Sequence, residues 1–207
     1  MNVDRSGLRI LVFHRAAGFV HLSIPNAVTA IERLGTEHHF RVDVTDDPAR
    51  FEVDLGTYDA LVFGHTSGNV LPEPSQRVAL ERYMAHGGGF FGIHAASSMA
   101  PDVDTDWPWF RELVGASFKG HTVARIFADD PVPERSGVMY AGPVADAPAG
   151  ADRWSDALAV MSCEAATVHV EDPSCPAIRG LLDGDVLVDE WYGFHDNPRP
   201  RVNVVAT

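Results

Sequence analysis

A three-layer, doubly wound α/β fold with a mainly parallel sheet is the architecture this chain's first half predicts, on two observations. Short apolar runs recur at 9–14, 59–65 and 89–94, with a period-two run at 40–44. Nearly continuous apolar runs suit parallel strands covered on both faces. Amphipathic helical patterns lie between them at 23–35 and 75–87. Strands alternating with helices imply right-handed βαβ crossovers and helices on both faces of the sheet.

Taken in order, Arg9-Ile10-Leu11-Val12-Phe13-His14 is the first strand. Ser23 is placed to cap a helix whose Ile24, Ala27, Val28, Ile31 and Leu34 share one face, with Gly35 at its stop. The alternating strand at 40–44 follows. Residues 48–58 then lead to the third strand, a stretch short for a full crossover helix. Ser75 opens the second helix, with Ala79, Leu80, Tyr83 and Met84 as its apolar stripe, and Gly87-Gly88-Gly89 precede the fourth strand. In the second half, Asp106 is placed to cap a short helix over 107–114, with Pro108 tolerated in the first turn. Segments 166–170, 186–188 and 201–205 read as strands, and 129–151 is an irregular stretch rich in Pro, Ala, Gly and Asp. The whole reads as a single domain over 1–207.

Composition narrows the function. The 207 residues carry 29 Asp+Glu against 16 Lys+Arg, a formal net charge of −13, which disfavours a nucleic-acid partner. Two cysteines, Cys163 and Cys175, form neither a disulfide framework nor a zinc cage by themselves. No apolar run approaches a membrane span and no leader pattern opens the chain, so a cytoplasmic protein acting on a small molecule is the expectation.

Ten histidines are the distinctive feature. Three strands finish on one: His14, His65 and His94. In an open α/β sheet, ligands bind beyond the carboxyl ends of the strands. In the order 2-1-3-4-5 these would be neighbouring strands, about 4.8 Å apart, so the three imidazoles can line one crevice. They are candidates for acid–base chemistry near neutral pH, for substrate binding, or as ligands of a divalent transition metal. His94 is also the apex of a sharp strand-to-helix turn, Gly92-Ile93-His94-Ala95-Ala96, shaped like a nucleophile elbow. An imidazole at the apex, with Ser97 and Ser98 a turn later, speaks against covalent Ser or Cys catalysis there.

Several segments together resemble the ThuA-like (trehalose utilisation) family: Ala17-Gly18-Phe19-Val20-His21-Leu22-Ser23-Ile24-Pro25, Thr45-Asp46-Asp47 and Tyr58-Asp59-Ala60-Leu61-Val62-Phe63. Gly87-Gly88-Gly89-Phe90-Phe91-Gly92-Ile93-His94-Ala95-Ala96, Trp107-Pro108-Trp109, Phe118-Lys119-Gly120-His121 and Asp189-Glu190-Trp191-Tyr192 extend the match. The resemblance implies a flavodoxin-like sheet of the class I glutamine amidotransferase-like kind, without the elbow cysteine, and a sugar-related substrate. It makes 123–165 an insertion, either a lid or a homo-oligomer contact, and it leaves the family's usual C-terminal stretch unaccounted for after Thr207. The polar positions it matches, His21, His94, His121, Asp189 and Glu190, are the candidate catalytic groups.

Glu190 lies among Val188, Trp191, Tyr192 and Phe194, where desolvation would raise its pKa; the alternative is a structural carboxylate paired with Arg199 or Arg201. Trp107, Trp109, Lys119 and Tyr192 join His14 and His65 as candidate substrate contacts, the aromatics offering a floor for a sugar ring. The leading expectation is an enzyme using His94 and Glu190, assisted by His21 and His121, for proton transfer on a small carbohydrate. A non-catalytic sugar- or partner-binding domain and a metal-dependent enzyme are the alternatives.

Overall fold

In the computed structural model the described residues are 7–98, 107–120, 123–127, 141–143, 157–161 and 164–207. Contacts divide the chain into two compact units, Met1–Val114 and Gly115–Thr207.

The first unit is the expected α/β layer structure. Strand β1 (Arg9–Phe13), helix α1 (Ile24–His38), β2 (Arg41–Thr45), β3 (Ala60–Gly64), α2 (Pro74–Ala85), β4 (Gly89–Ile93) and α3 (Pro108–Val114) follow in sequence. The four strands are all parallel, in the order β2-β1-β3-β4. Phe13 lies opposite both Thr45 and Phe63, and Gly64 opposite Ile93, so all four strands end along one edge. The central strands β1 and β3 are covered on both faces, as their unbroken apolar runs require: Leu11, Phe13, Leu61 and Phe63 join the main core, while Val12 and Val62 are buried outside it. At the edge, β4 turns Phe90 toward Phe63, at a ring separation of 5.1 Å, and leaves Phe91 58% exposed, so it is not the fully buried strand its apolar run predicts.

The short link from β2 to β3 dispenses with a crossover helix. Two 3₁₀ turns, Pro48–Glu52 and Leu55–Thr57, take its place. Asp47 Oδ1 accepts the Ala49 N–H at 2.9 Å and Asp54 Oδ1 accepts the Gly56 N–H at 2.8 Å, local bonds that suit Asp to turn starts. These turns bury Phe51 and Leu55, which supply the apolar cover a helix would have given.

Three local expectations are corrected. Ser23 makes no side-chain cap. Gly35 does not stop α1, which runs on to His38 and closes at left-handed His39 (φ 59°). Gly35 is needed for close approach instead: a Cβ there would lie 2.6 Å from Val42 Cγ2 and 3.0 Å from the Phe40 carbonyl. Helix α2 starts at Pro74, and Gln76 Oε1, not Ser75, accepts the preceding Glu73 N–H at 3.2 Å. Asp106 lies outside the described residues.

The second unit is built of small antiparallel sheets. Strands β5 (Phe118–Gly120), β6 (Val123–Phe127), β7 (Ala141–Pro143), β8 (Ala157–Met161), β9 (Glu164–Thr167), β10 (Val186–Asp189) and β11 (Gly193–Phe194) pair as β5 with β11, β9 with β10, and β6-β8-β7. The described part of 123–165 thus carries a three-stranded sheet of its own. No strand forms at 201–205. The chain turns there, with Arg201 N–H donating to the Pro198 carbonyl at 2.8 Å, and pairing is limited to a bridge between Val170 and Ala206. Among the described residues, no helix is long and apolar enough to cross a membrane.

Candidate active site

The common edge where the parallel strands end collects the polar residues that follow them. His14 continues β1, Asp46 follows β2, His65 follows β3 and His94 follows β4. His65 and His94 share an uncommon backbone: both are left-handed, at φ 57° and 54°. A non-glycine residue there carries a steric cost, and such residues concentrate at functional sites. The elbow expected at His94 is therefore real, and a second one at His65 lies beside it, held by His65 N–H donating to the Ile93 carbonyl at 3.2 Å.

Three imidazoles pack together at this edge, but not the three that strand ends alone predict. The ring of His94 lies 4.6 Å from that of His21 and 5.0 Å from that of His65, and His21 and His65 are 5.6 Å apart. His14 makes no ring contact among the described residues and faces a cleft on the β1–β2 side. His21 takes the place expected of His14 because the loop after β1 folds across to the segment after β3. Ala17 and Gly18 N–H groups both donate to the Ser67 carbonyl, at 2.8 and 3.0 Å, and Ser67 Oγ donates to the Phe19 carbonyl at 2.6 Å. Gly68 (φ 72°) permits the approach, since a Cβ on it would meet Gly18 N at 2.7 Å. Phe19 then sits edge-on to His21 at 4.9 Å.

Burial grades the three rings. His21 and His65 are each 8% exposed, whereas His94 is exposed to solvent. The cluster therefore presents His94 outward on two buried imidazoles. Burial holds the His65 imidazole below its ordinary pKa of 6.5, so it is neutral at pH 7, one ring nitrogen a donor and the other an acceptor. Its Nδ1 is buried with no hydrogen-bond partner among the described residues, as is the Oγ1 of Thr66 beside it. The rings meet edge to face or tilted, and among the described residues no group of three His, Cys, Asp or Glu side chains is arranged to hold a metal ion. The set His14, His65 and His94 is accordingly not a preformed metal site.

The depressed His65 pKa makes stability depend on pH in a definite direction. In the unfolded chain the ring takes a proton near pH 6.5; in the folded chain it does so only at lower pH. Its contribution is complete above the unfolded value and is lost as pH falls through the folded one. Urea unfolding at about pH 7 and pH 5.5 should show a loss of stability on acidification that is smaller in His65→Asn, a residue that tolerates the left-handed backbone. Equal losses in both proteins would show that His65 carries none of the effect.

The remaining candidates are distributed as follows. Trp107 and Trp109 stack at 5.6 Å against the core, and the Trp107 indole N–H, expected to orient a sugar, donates to Glu81 Oε1 of α2 at 2.8 Å. In the second unit, Lys119 is exposed on β5 and the Tyr192 ring lies 4.4 Å from Phe118. Burial, then the charges of Glu190 and Asp189, push the Tyr192 phenol far up, so it stays protonated. Asp189 Oδ1 accepts the Glu190 N–H at 2.8 Å. Glu190 is half-buried, and neither expected arginine pairs with it: Arg199 forms a two-pronged bond to Glu171, and Arg201 pairs with Asp196 at 2.8 Å. His121 lies outside the described residues. Sequence reasoning passed over Arg15 and Asp46, which line the cleft beside His14 and His21.

A family model described as "ThuA: Trehalose utilisation" matches residues 9–207. Among solved structures, the chain is similar to a ThuA-like protein from Bacteroides uniformis ATCC 8492, with a TM-score of 0.67 and 22% identity over 99% of this chain and 69% of that one. That likeness supports the flavodoxin-like α/β reading of the sheet. No curated protein matches.

Proposed function

This chain belongs to the ThuA family, and on that premise we propose that it is an enzyme acting on a small carbohydrate by imidazole acid–base chemistry. The observation that carries the reading is the packed trio of His21, His65 and His94, with its one exposed member at a left-handed elbow beyond the strand ends. His94 is the group that meets the substrate and moves a proton to or from a sugar hydroxyl or carbonyl oxygen. His21 packs across its ring and fixes its orientation. His65, neutral at pH 7, completes the support. A proton on any one ring is felt by the other two at these separations.

The reaction class is hydrolysis, isomerisation or elimination, each of which needs a proton placed at or removed from oxygen or an adjacent carbon. A thiol nucleophile has no part in it, because the apex residue is His94. The test is incubation with trehalose, other neutral disaccharides and their keto derivatives, followed by mass spectrometry. A new product from the parent protein that disappears in His94→Ala supports the proposal. Saturable binding of a sugar with no product from any of them would make this a binding domain and overturn it.

A further inference from the structure

Beside the imidazole cluster, and sharing His21 with it, an open cleft of about 520 Å³ lies over the ends of β1 and β2. Its two charged groups have no partner within the protein among the described residues. Arg9 is paired with Asp43, Arg50 with Tyr58, Arg199 with Glu171 and Arg201 with Asp196. Arg15, by contrast, has no hydrogen bond or ion pair among the described residues, and its Nε is buried. The carboxylate of Asp46 also has none among them, whereas that of the adjacent Asp47 accepts the Ala49 N–H. An unpaired guanidinium nitrogen held out of water is costly unless a ligand supplies an acceptor.

From this cleft we infer a binding subsite for a neutral, polyhydroxylated ring, read by Arg15 and Asp46 together. Arg15 donates to ring hydroxyls and Asp46 accepts from them, so a vicinal diol satisfies both at once. An anionic sugar satisfies Arg15 but is repelled by Asp46. His14 adds a further donor or acceptor on the same wall. Val20 and Leu22, 59% and 65% exposed, give the apolar rim that the C–H face of a ring covers. Because His21 lines both the cleft and the imidazole cluster, a ring held here keeps its neighbouring bond within the reach of that cluster.

The inference rests on the carbohydrate reading above and specifies which carbohydrates are accepted. It is tested by saturation-transfer NMR and titration with glucose and trehalose as neutral probes, and with gluconate and glucose 6-phosphate as anionic ones. The neutral probes are expected to bind saturably, and both Asp46→Asn and Arg15→Met to weaken that binding by about tenfold or more, the value of one hydrogen bond to a charged group. Leu22→Ser, at the exposed rim, should weaken it less. Circular dichroism confirms that the variants fold.

Binding unaffected by both charged-site substitutions overturns the subsite, as does tighter binding of the anionic probes or no saturable binding of either neutral one. The two proposals fail separately. Loss of binding in Asp46→Asn with full turnover in His94→Ala would refute the catalytic reading alone. Loss of turnover in His94→Ala with normal binding in both Asp46→Asn and Arg15→Met would refute the subsite alone.

Discussion

The His94→Gly variant is expected to lose turnover by about 10²–10⁴, the usual contribution of a positioned acid–base group, while unfolding no more readily than the parent. The two effects separate because His94 carries its chemistry on an unfavourable backbone. At φ 54° a side chain with a Cβ costs about 1–2 kcal/mol, which glycine does not incur. Against this, glycine loses more freedom on folding, about 0.5–1 kcal/mol relative to alanine. The exposed ring surrenders little burial when it is removed, although its contacts with His21 and His65 go. The balance lies between no change and a gain of about 1 kcal/mol, a stability–activity trade-off of the kind strained active sites show. His94→Ala keeps the backbone cost and should lose the same turnover without the gain. Urea unfolding midpoints read alongside product formation decide the matter. Full turnover in both variants would remove His94 from the mechanism, and a loss of several kcal/mol in the glycine variant would make it a structural pin.

Much of this edge was legible because it follows from short-range rules. Continuous apolar runs at β1 and β3 place both strands in the interior, and the parallel register then delivers the residues after them to one end of the sheet. The glycine-flanked, alanine-followed His94 likewise announces a sharp turn from its sequence alone. What strand ends could not supply was the path of the loop after β1. That path depends on a contact between residues fifty apart: Gly18 against Gly68, with Ser67 bonded to Phe19. It brings His21 into the trio and leaves His14 at the cleft. The glycine pair was the available signal, one in each loop leaving adjacent strands, but a single glycine reads as a turn and only the pairing reveals a close approach. Gly35 misled for the same reason: its role is room for Val42, a tertiary demand that resembles a helix stop in one dimension. Arg15 and Asp46 escaped because the burial of a guanidinium nitrogen without an acceptor, and the cleft that brings the two together, exist only in the folded chain.

Phe63→Ala is expected to be the most destabilising single change in the first unit, by about 3–5 kcal/mol, out of a total that for most domains is about 5–15 kcal/mol. Phe63 is fully buried on the central strand β3, and four rings surround it: Phe90 at 5.1 Å, Phe13 at 5.3 Å, Phe51 at 5.8 Å and Phe110 at 6.0 Å. These partners come from β4, β1, the 3₁₀ turn at Pro48–Glu52 and α3, elements from both sides of the strand order in sequence, so no single one can move in to fill the space. A cavity that cannot collapse gives the upper part of the range. Phe63→Leu should cost clearly less, because most of the volume is kept. The exposed Phe91 on the neighbouring strand offers the control, with Phe91→Ala expected to fall within about 0.5 kcal/mol of the parent. The core change also reaches the site: His65 lies two residues beyond Phe63 on the same strand exit, and its left-handed backbone persists only while its surroundings hold it. Turnover measured below the unfolding transition should therefore fall in Phe63→Ala and survive in Phe91→Ala. Equal stabilities for these two variants in urea would mean that the aromatic cluster is not the packed support on which the imidazole trio stands.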